Sequence, residues 1–142
     1  MDNLSDFELC NKTWKVISNK YGTSPSATDF TKFEQVVVLV WTVTGIIENG
    51  GFRYLFESEL NGDRDFRLSM QAFNLIGCDE ISKIISNILE RMRLVGDTSK
   101  TNAENFEILS SEERDQSDEQ FWAEIDNINM HLADFIRNNE TE

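Results

Sequence analysis

The stretch from Thr28 to Gly51 reads TDFTKFEQVVVLVWTVTGIIENGG, and its conformation decides the fold of the chain. Nine of the twelve residues from Val36 to Ile47 are β-branched, which locally favours a strand. Length favours a helix instead. No turn signal interrupts Thr28 to Ile47, and such a run would be an abnormally long strand but an ordinary helix of about 30 Å. Because this helix would be apolar on most faces, we predict that it is the central, buried helix of the fold.

The end of this helix is marked by Asn49-Gly50-Gly51, after which Phe52 begins a short new helix. Backbone amides at a helix start can cradle an anion, but no Lys, Ser or Thr follows at phosphate-loop spacing, and Glu48 would repel an anion. We therefore interpret the two glycines as a tight corner between helices, where Asn and Gly tolerate a positive φ. Phe52, Tyr54 and Phe56 are then expected to fill the core or an interface.

The remaining segments also show helical periodicity. A first helix is predicted over Leu4–Tyr21, with Phe7 and Ile17 on its apolar stripe, and a last helix is predicted to open at Ser117 or Asp118. Residues 95–111 are polar and are predicted to form the longest loop. The chain is therefore expected to be all-α, with residues 1–142 forming one single-domain bundle of five to seven helices.

The charge balance excludes several classes of function. The 142 residues include 26 Asp and Glu against 13 Lys and Arg, a net charge of −13, which disfavours direct binding to nucleic acid or to an anionic membrane. The longest mainly apolar stretch, Val36–Ile47, falls short of the ~20 residues that a bilayer span needs. The acidic N-terminus does not resemble a secretory signal, and Cys10 and Cys78 are too few for a disulfide framework. A cytoplasmic location is therefore expected.

Negative charge is concentrated towards the C-terminus. From Val95 onward there are 13 acidic residues but only three basic ones, Lys100, Arg114 and Arg137. Carboxylates three or four positions apart on a helix lie ~5–6 Å from one another, so such a face repeats negative charge much as phosphates repeat along a DNA strand. Met130 projects opposite Phe121 on the last helix and is a candidate partner or dimer contact. The acidic residues predicted to bind a partner are Glu112, Glu113, Asp115, Asp118, Glu119 and Asp126.

Catalytic and metal-binding patterns are weak. His131 is the only histidine, and its place beside the apolar stripe of the last helix is typical of a boundary residue rather than a general base. Both cysteines lack a basic or Gly-rich context and are expected to line the core. Two segments that begin like calcium loops lack the Gly and the bidentate Glu that such loops require. We therefore predict no catalytic residue, no metal site and no cofactor.

Three segments resemble a bacterial family of small, acidic, all-helical proteins that includes a DNA mimic. The most distinctive segment is Glu48-Asn49-Gly50-Gly51-Phe52-x-x-x-Phe56. Two weaker ones follow in the same order, Ala72-Phe73-x-Leu75-Ile76-Gly77 and an acidic helix ending Phe135-Ile136-Arg137, so that the likeness covers about residues 30–138. The resemblance implies a helical fold, dimerisation, and a negative surface that binds a DNA-binding protein in place of DNA.

Three functions follow as hypotheses. The first is a non-enzymatic acidic binding protein that occupies the basic surface of a DNA-binding protein, as a DNA mimic does. The second is an immunity protein or antitoxin that neutralises a basic toxin, for which the surface physics would be the same. The third is an enzyme that uses a buried carboxylate pair near the Gly-Gly corner, because two carboxylates in different environments can divide acid and base roles.

Overall fold

The computed structural model describes residues 4–22 and 25–139, and within them the chain is all-α, as predicted. A single 3₁₀ turn, Ala27–Asp29, lies between the first two helices. No strand occurs among the described residues, so the long β-branched segment is helical. The helices are α1 (Asp6–Tyr21), α2 (Lys32–Glu57), α3 (Arg67–Leu75), α4 (Asp79–Val95), α5 (Asn102–Ile108) and α6 (Ser111–Asn139).

The central helix is α2, which packs against α1, α3, α5 and α6. Val36, Val40, Val43 and Ile47 are fully buried along it, so burial on several sides outweighs the local strand preference of β-branched residues. By length and hydropathy alone, the 26-residue helix α2 would also qualify as a membrane span. The prediction from the sequence considered only its apolar run Val36–Ile47, which is too short to span a bilayer. Half of its apolar window is covered by the rest of the chain, as the core helix of a bundle requires.

Serine and threonine caps set where several helices begin. Ser5, Thr31 and Thr101 each accept a hydrogen bond from the backbone amide three residues on. The side chain of the Glu at that position accepts one in turn from the backbone amide of the capping residue. In α2 the reciprocal partner is Glu34, whose buried carboxylate also accepts hydrogen bonds from Lys20 Nζ at 2.8 Å and from the Tyr21 hydroxyl. This network ties the end of α1 to the start of α2.

The prediction of one polar loop over residues 95–111 is wrong, because α5 occupies Asn102–Ile108. The capping box of Thr101 starts α5, and Phe106 is buried against Phe56 with ring centroids 5.4 Å apart. Asn105 closes the preceding turn by accepting from the Asp97 amide at 2.9 Å and donating to the Asp97 carbonyl at 3.0 Å. A helix of seven residues with one buried aromatic carries too little periodicity to be recognised in a polar sequence.

The last helix begins earlier than predicted, at Ser111 rather than at Ser117 or Asp118. The Ser110 hydroxyl accepts from the Glu113 amide at 3.1 Å and so acts as the cap. Placement of Asp118 inside the helix, rather than at its start, changes the role of that carboxylate.

Candidate functional site

The acidic candidate surface lies on α6, which packs against α1, α2 and α4. Its buried side chains, Phe121, Ile128, Leu132, Ala133 and Ile136, hold one side of the helix in the core. The opposite side is therefore free to carry polar residues over the whole length of the helix.

Four of the six predicted carboxylates lie together on that outer side. Their spacings of three, four and seven residues bring Glu112, Asp115, Glu119 and Asp126 onto one face of α6, and all four are exposed. We call these four residues the carboxylate row. At 1.5 Å per residue the row extends over about 21 Å. One strand of B-DNA carries about six phosphates over that length, so the row has roughly two-thirds of that charge density.

No Lys or Arg of the described residues forms an ion pair with the carboxylate row. Arg114 Nη1 lies 3.3 Å from Glu107, which also pairs with Arg53 on α2. Arg137 lies 3.0 Å from Asp6 and 3.4 Å from Asp134. The arginines of the C-terminal region are thus engaged by other carboxylates, which leaves the row uncompensated.

Glu113, predicted to bind a partner, is instead held by an arginine of the same chain. Arg91 Nε and Nη2 donate to its two carboxylate oxygens at 3.0 and 3.2 Å. This two-point contact with Arg91 lowers the pKa of Glu113 and joins α6 to α4. Its charge is compensated within the fold, so it does not belong to the row.

Asp118 is likewise occupied within the fold, because it caps the Gly-Gly corner. The predicted break is present inside α2, where Gly50 has φ −158° and ψ 18° and Gly51 has φ 71° and ψ −170°. The Phe52 amide, freed by this break, donates to Asp118 Oδ1 at 3.0 Å. Partial burial raises the pKa of Asp118, a shift that the Phe52 hydrogen bond opposes.

The close approach of Asp118 explains why glycine is required at the corner. A Cβ on Gly51 would lie 2.7 Å from Asp118 Oδ2, and a Cβ on Gly50 would lie 2.2 Å from the Tyr54 ring. The two glycines therefore let both α6 and the following turn lie against the backbone. Glu48 and Asn49, the first residues of the motif, are exposed beside this corner.

Two of the three aromatic residues after the corner belong to the core, whereas Tyr54 is 50% exposed. Phe52 and Phe56 are buried, and Phe52 meets Phe121 of α6 edge to face at 6.1 Å between ring centroids. The most buried carboxyls, Glu34 and Asp63, cap two different helices; Asp63 accepts from the Leu68 and Ser69 amides at 2.7 and 2.8 Å. The surroundings of Phe52 are thus packed with side chains and do not hold a buried carboxylate pair.

Two apolar side chains interrupt the acidic face of α6. Met130, predicted to be a contact residue, is 42% exposed, and Trp122 is 49% exposed. Trp122 follows Glu119 by three residues and Met130 follows Asp126 by four, so both share the face of the row. Trp122 was not among the contact residues predicted from the sequence, although its spacing from Glu119 places it outside the apolar stripe.

The remaining candidates for chemistry are the two cysteines and His131. Burial raises the pKa of the Cys10 thiol to about 11 and that of Cys78 to about 12, so both stay protonated, as expected for core residues. His131 is half-buried over Gly77, with its Nδ1 3.2 Å from where a Cβ on that glycine would lie. Within residues 4–22 and 25–139 no group of three or more His, Cys, Asp or Glu could hold a metal ion.

Comparison with known families places most of the chain in a family. The family model described as DMP19-like protein matches residues 28–139, which includes the Gly-Gly corner, the carboxylate row and most of the core. No curated protein and no solved structure matches the chain.

Proposed function

The chain belongs to the DMP19-like protein family, and from that premise we propose that it is a non-enzymatic DNA mimic that occupies the basic surface of a DNA-binding protein. The carboxylate row carries the proposal. It places four uncompensated charges along about 21 Å of one rigid helix, where a cationic groove would otherwise bind phosphates. Complementary charge of this kind speeds association and makes it sensitive to salt.

The apolar members of the same face strengthen the proposal for a protein partner. Trp122 and Met130 offer exposed apolar area between and beside the carboxylates. Tryptophan is enriched among the residues that dominate protein–protein affinity, and methionine adapts to irregular surfaces. A solvating acidic face would gain nothing from either side chain.

The test compares two variants with the same net charge. One neutralises the row (Glu112→Gln, Asp115→Asn, Glu119→Gln, Asp126→Asn). The control neutralises four exposed carboxylates outside α6 (Glu57→Gln, Glu59→Gln, Glu80→Gln, Glu90→Gln), whose surface ion pairs contribute little to stability. Circular dichroism establishes that both variants remain folded.

Wild-type and variant proteins are immobilised and exposed to lysate of the source cell, and captured proteins are eluted with salt. We expect a basic DNA-binding protein that the wild type and the control retain, the row variant loses, and duplex DNA displaces. Equal capture by the row variant would contradict the proposal. If the captured protein is a basic toxin and duplex DNA does not displace it, the chain would instead be an immunity protein or antitoxin.

A further inference from the structure

A small groove between α1, α2 and α6 is not part of the carboxylate row. Its walls include Phe7, Trp41, Thr44, Gly45, Glu48 and Asn129. Phe7 was predicted to lie on the apolar stripe of α1, but it is 55% exposed at the edge of this groove, with its ring 5.4 Å from Trp41. Asp126 of the row precedes Asn129 by three residues, which places it one helical turn away.

Thr44 is one of the residues that line this groove, and its hydroxyl oxygen is buried. The residue is only 4% exposed, and its Oγ1 has no hydrogen-bond partner among the described residues. A threonine inside a helix can donate to the carbonyl four residues earlier, as Thr13 does to Leu9 at 2.8 Å. A buried hydroxyl without a partner is costly, so its retention here indicates that something else bonds to it.

Gly45 keeps the groove open. A Cβ at this position would meet nothing within 4 Å, in contrast to Gly50 and Gly51. Glycine inside a helix is less stable than alanine, and the packing of this chain does not require it here. The empty space above Gly45 lies beside the Thr44 hydroxyl in the same groove.

The chemistry of the lining selects a cation with several donors. Among the described residues Glu48 is the only charged one that lines the groove, and Thr44 and Asn129 add a hydroxyl and an amide oxygen as acceptors. Trp41 supplies an aromatic wall, against which a planar guanidinium stacks better than a compact ammonium. Glu48 is exposed overall, but its partial burial raises its pKa, and a cation bound beside it would oppose that shift.

We propose that this groove receives the guanidinium group of an arginine side chain on the basic partner, held by Glu48, Thr44 and Asn129. This inference rests on the proposed function, because it specifies which side chain of the partner enters a pocket beside the carboxylate row. The carboxylate row would bind any cationic side chain, as phosphates do, whereas the groove would bind arginine in preference to lysine.

The direct test titrates the protein with N-acetyl-arginine amide and, in parallel, with N-acetyl-lysine amide while amide chemical shifts are recorded by NMR. We expect saturable shifts at Thr44, Gly45 and Asn129 with the arginine probe and much weaker binding of the lysine probe. Absence of a saturable shift at these amides with the arginine probe would overturn the inference.

Two substitutions separate binding from folding. Thr44→Val removes the unpaired hydroxyl, and Gly45→Ala fills the open space. Both substitutions should therefore raise the denaturation midpoint and lower the affinity for the arginine probe. Loss of one hydrogen bond to a charged group predicts about tenfold weaker binding for Thr44→Val. Thr42→Val, on the same helix but outside the groove, is the matched control and should leave probe binding unchanged. Raised stability with unaltered probe binding in both groove variants would contradict the proposal.

The same variants distinguish this inference from the proposed function. If the partner captured through the carboxylate row binds Thr44→Val as tightly as wild type, the groove inference fails while the proposed function stands. If no captured protein depends on the row, the proposed function fails. The inference that a partner arginine enters the groove then fails as well.

Discussion

Replacing Gly51 with alanine should destabilise the protein by about 2–4 kcal/mol. Gly51 has φ 71° and ψ −170°, a region open almost only to glycine, and holding another residue there costs about 1–3 kcal/mol. The new Cβ would also lie 2.7 Å from Asp118 Oδ2, so that the carboxylate must move. Loss of its hydrogen bond to the Phe52 amide adds about 0.5–1.5 kcal/mol.

The matched control is Gly45→Ala in the same helix. There the backbone is helical and the Cβ meets nothing within 4 Å, so alanine should stabilise the protein by up to about 1 kcal/mol. The same chemical change is thus expected to have opposite signs at positions six residues apart. The difference lies in backbone conformation and in the proximity of α6.

Urea unfolding followed by circular dichroism at 222 nm measures both effects, with the denaturation midpoint read at unchanged slope. A Gly51→Ala variant within about 0.5 kcal/mol of wild type would refute the strained corner and the close approach of Asp118. Destabilisation by Gly45→Ala would show that the space above that glycine is not open.

Two further predictions concern carboxylates that the fold itself uses. Partial burial raises the pKa of Asp118 above its ordinary value, so the charged carboxylate lowers the stability of the fold as pH rises. Asp118→Asn keeps an acceptor for the Phe52 amide and should match or exceed wild-type stability at pH 7. Asp118→Ala removes that acceptor and should lose about 1–3 kcal/mol in the same urea assay. A destabilised Asn variant would show that the negative charge itself is needed. For Glu34, burial raises the pKa but hydrogen bonds from Lys20, Tyr21 and Thr31 outweigh it and lower the pKa to about 2. The stabilisation by the Glu34 carboxylate is therefore present above pH ~4.5 and is lost towards pH ~2. Glu34→Gln should be less stable than wild type at pH 7, and the difference in stability should shrink as the Glu34 carboxylate is protonated. A difference that does not change with pH would contradict this.

The sequence was sufficient to predict features that depend on a single helix. The run from Val36 to Ile47 was predicted to be a helix because the uninterrupted segment from Thr28 to Ile47 would make an abnormally long strand, and Gly50-Gly51 was predicted to break it; both predictions are confirmed. The spacing of Glu112, Asp115, Glu119 and Asp126 likewise placed them on one face of any helix that contains them. These inferences need only the periodicity of the backbone.

The functions of individual carboxylates required the tertiary structure. In the sequence Asp118 and Glu113 are equivalent to their acidic neighbours. Only packing shows that Asp118 faces an amide released 66 residues earlier and that Glu113 meets Arg91 of α4. Helix α5 was missed for a related reason, since Phe106 becomes significant only once Phe56 lies beside it.

The amino-acid sequence by itself determined a helical chain with an acidic C-terminal helix and a glycine break, since charge and helical period are properties of consecutive residues. The tertiary structure alone decided which acids stay uncompensated and left the Thr44 hydroxyl, beside an open groove, without a partner among the described residues. Those outcomes depend on which side chains from distant helices arrive within hydrogen-bonding distance, and no local pattern encodes that distance.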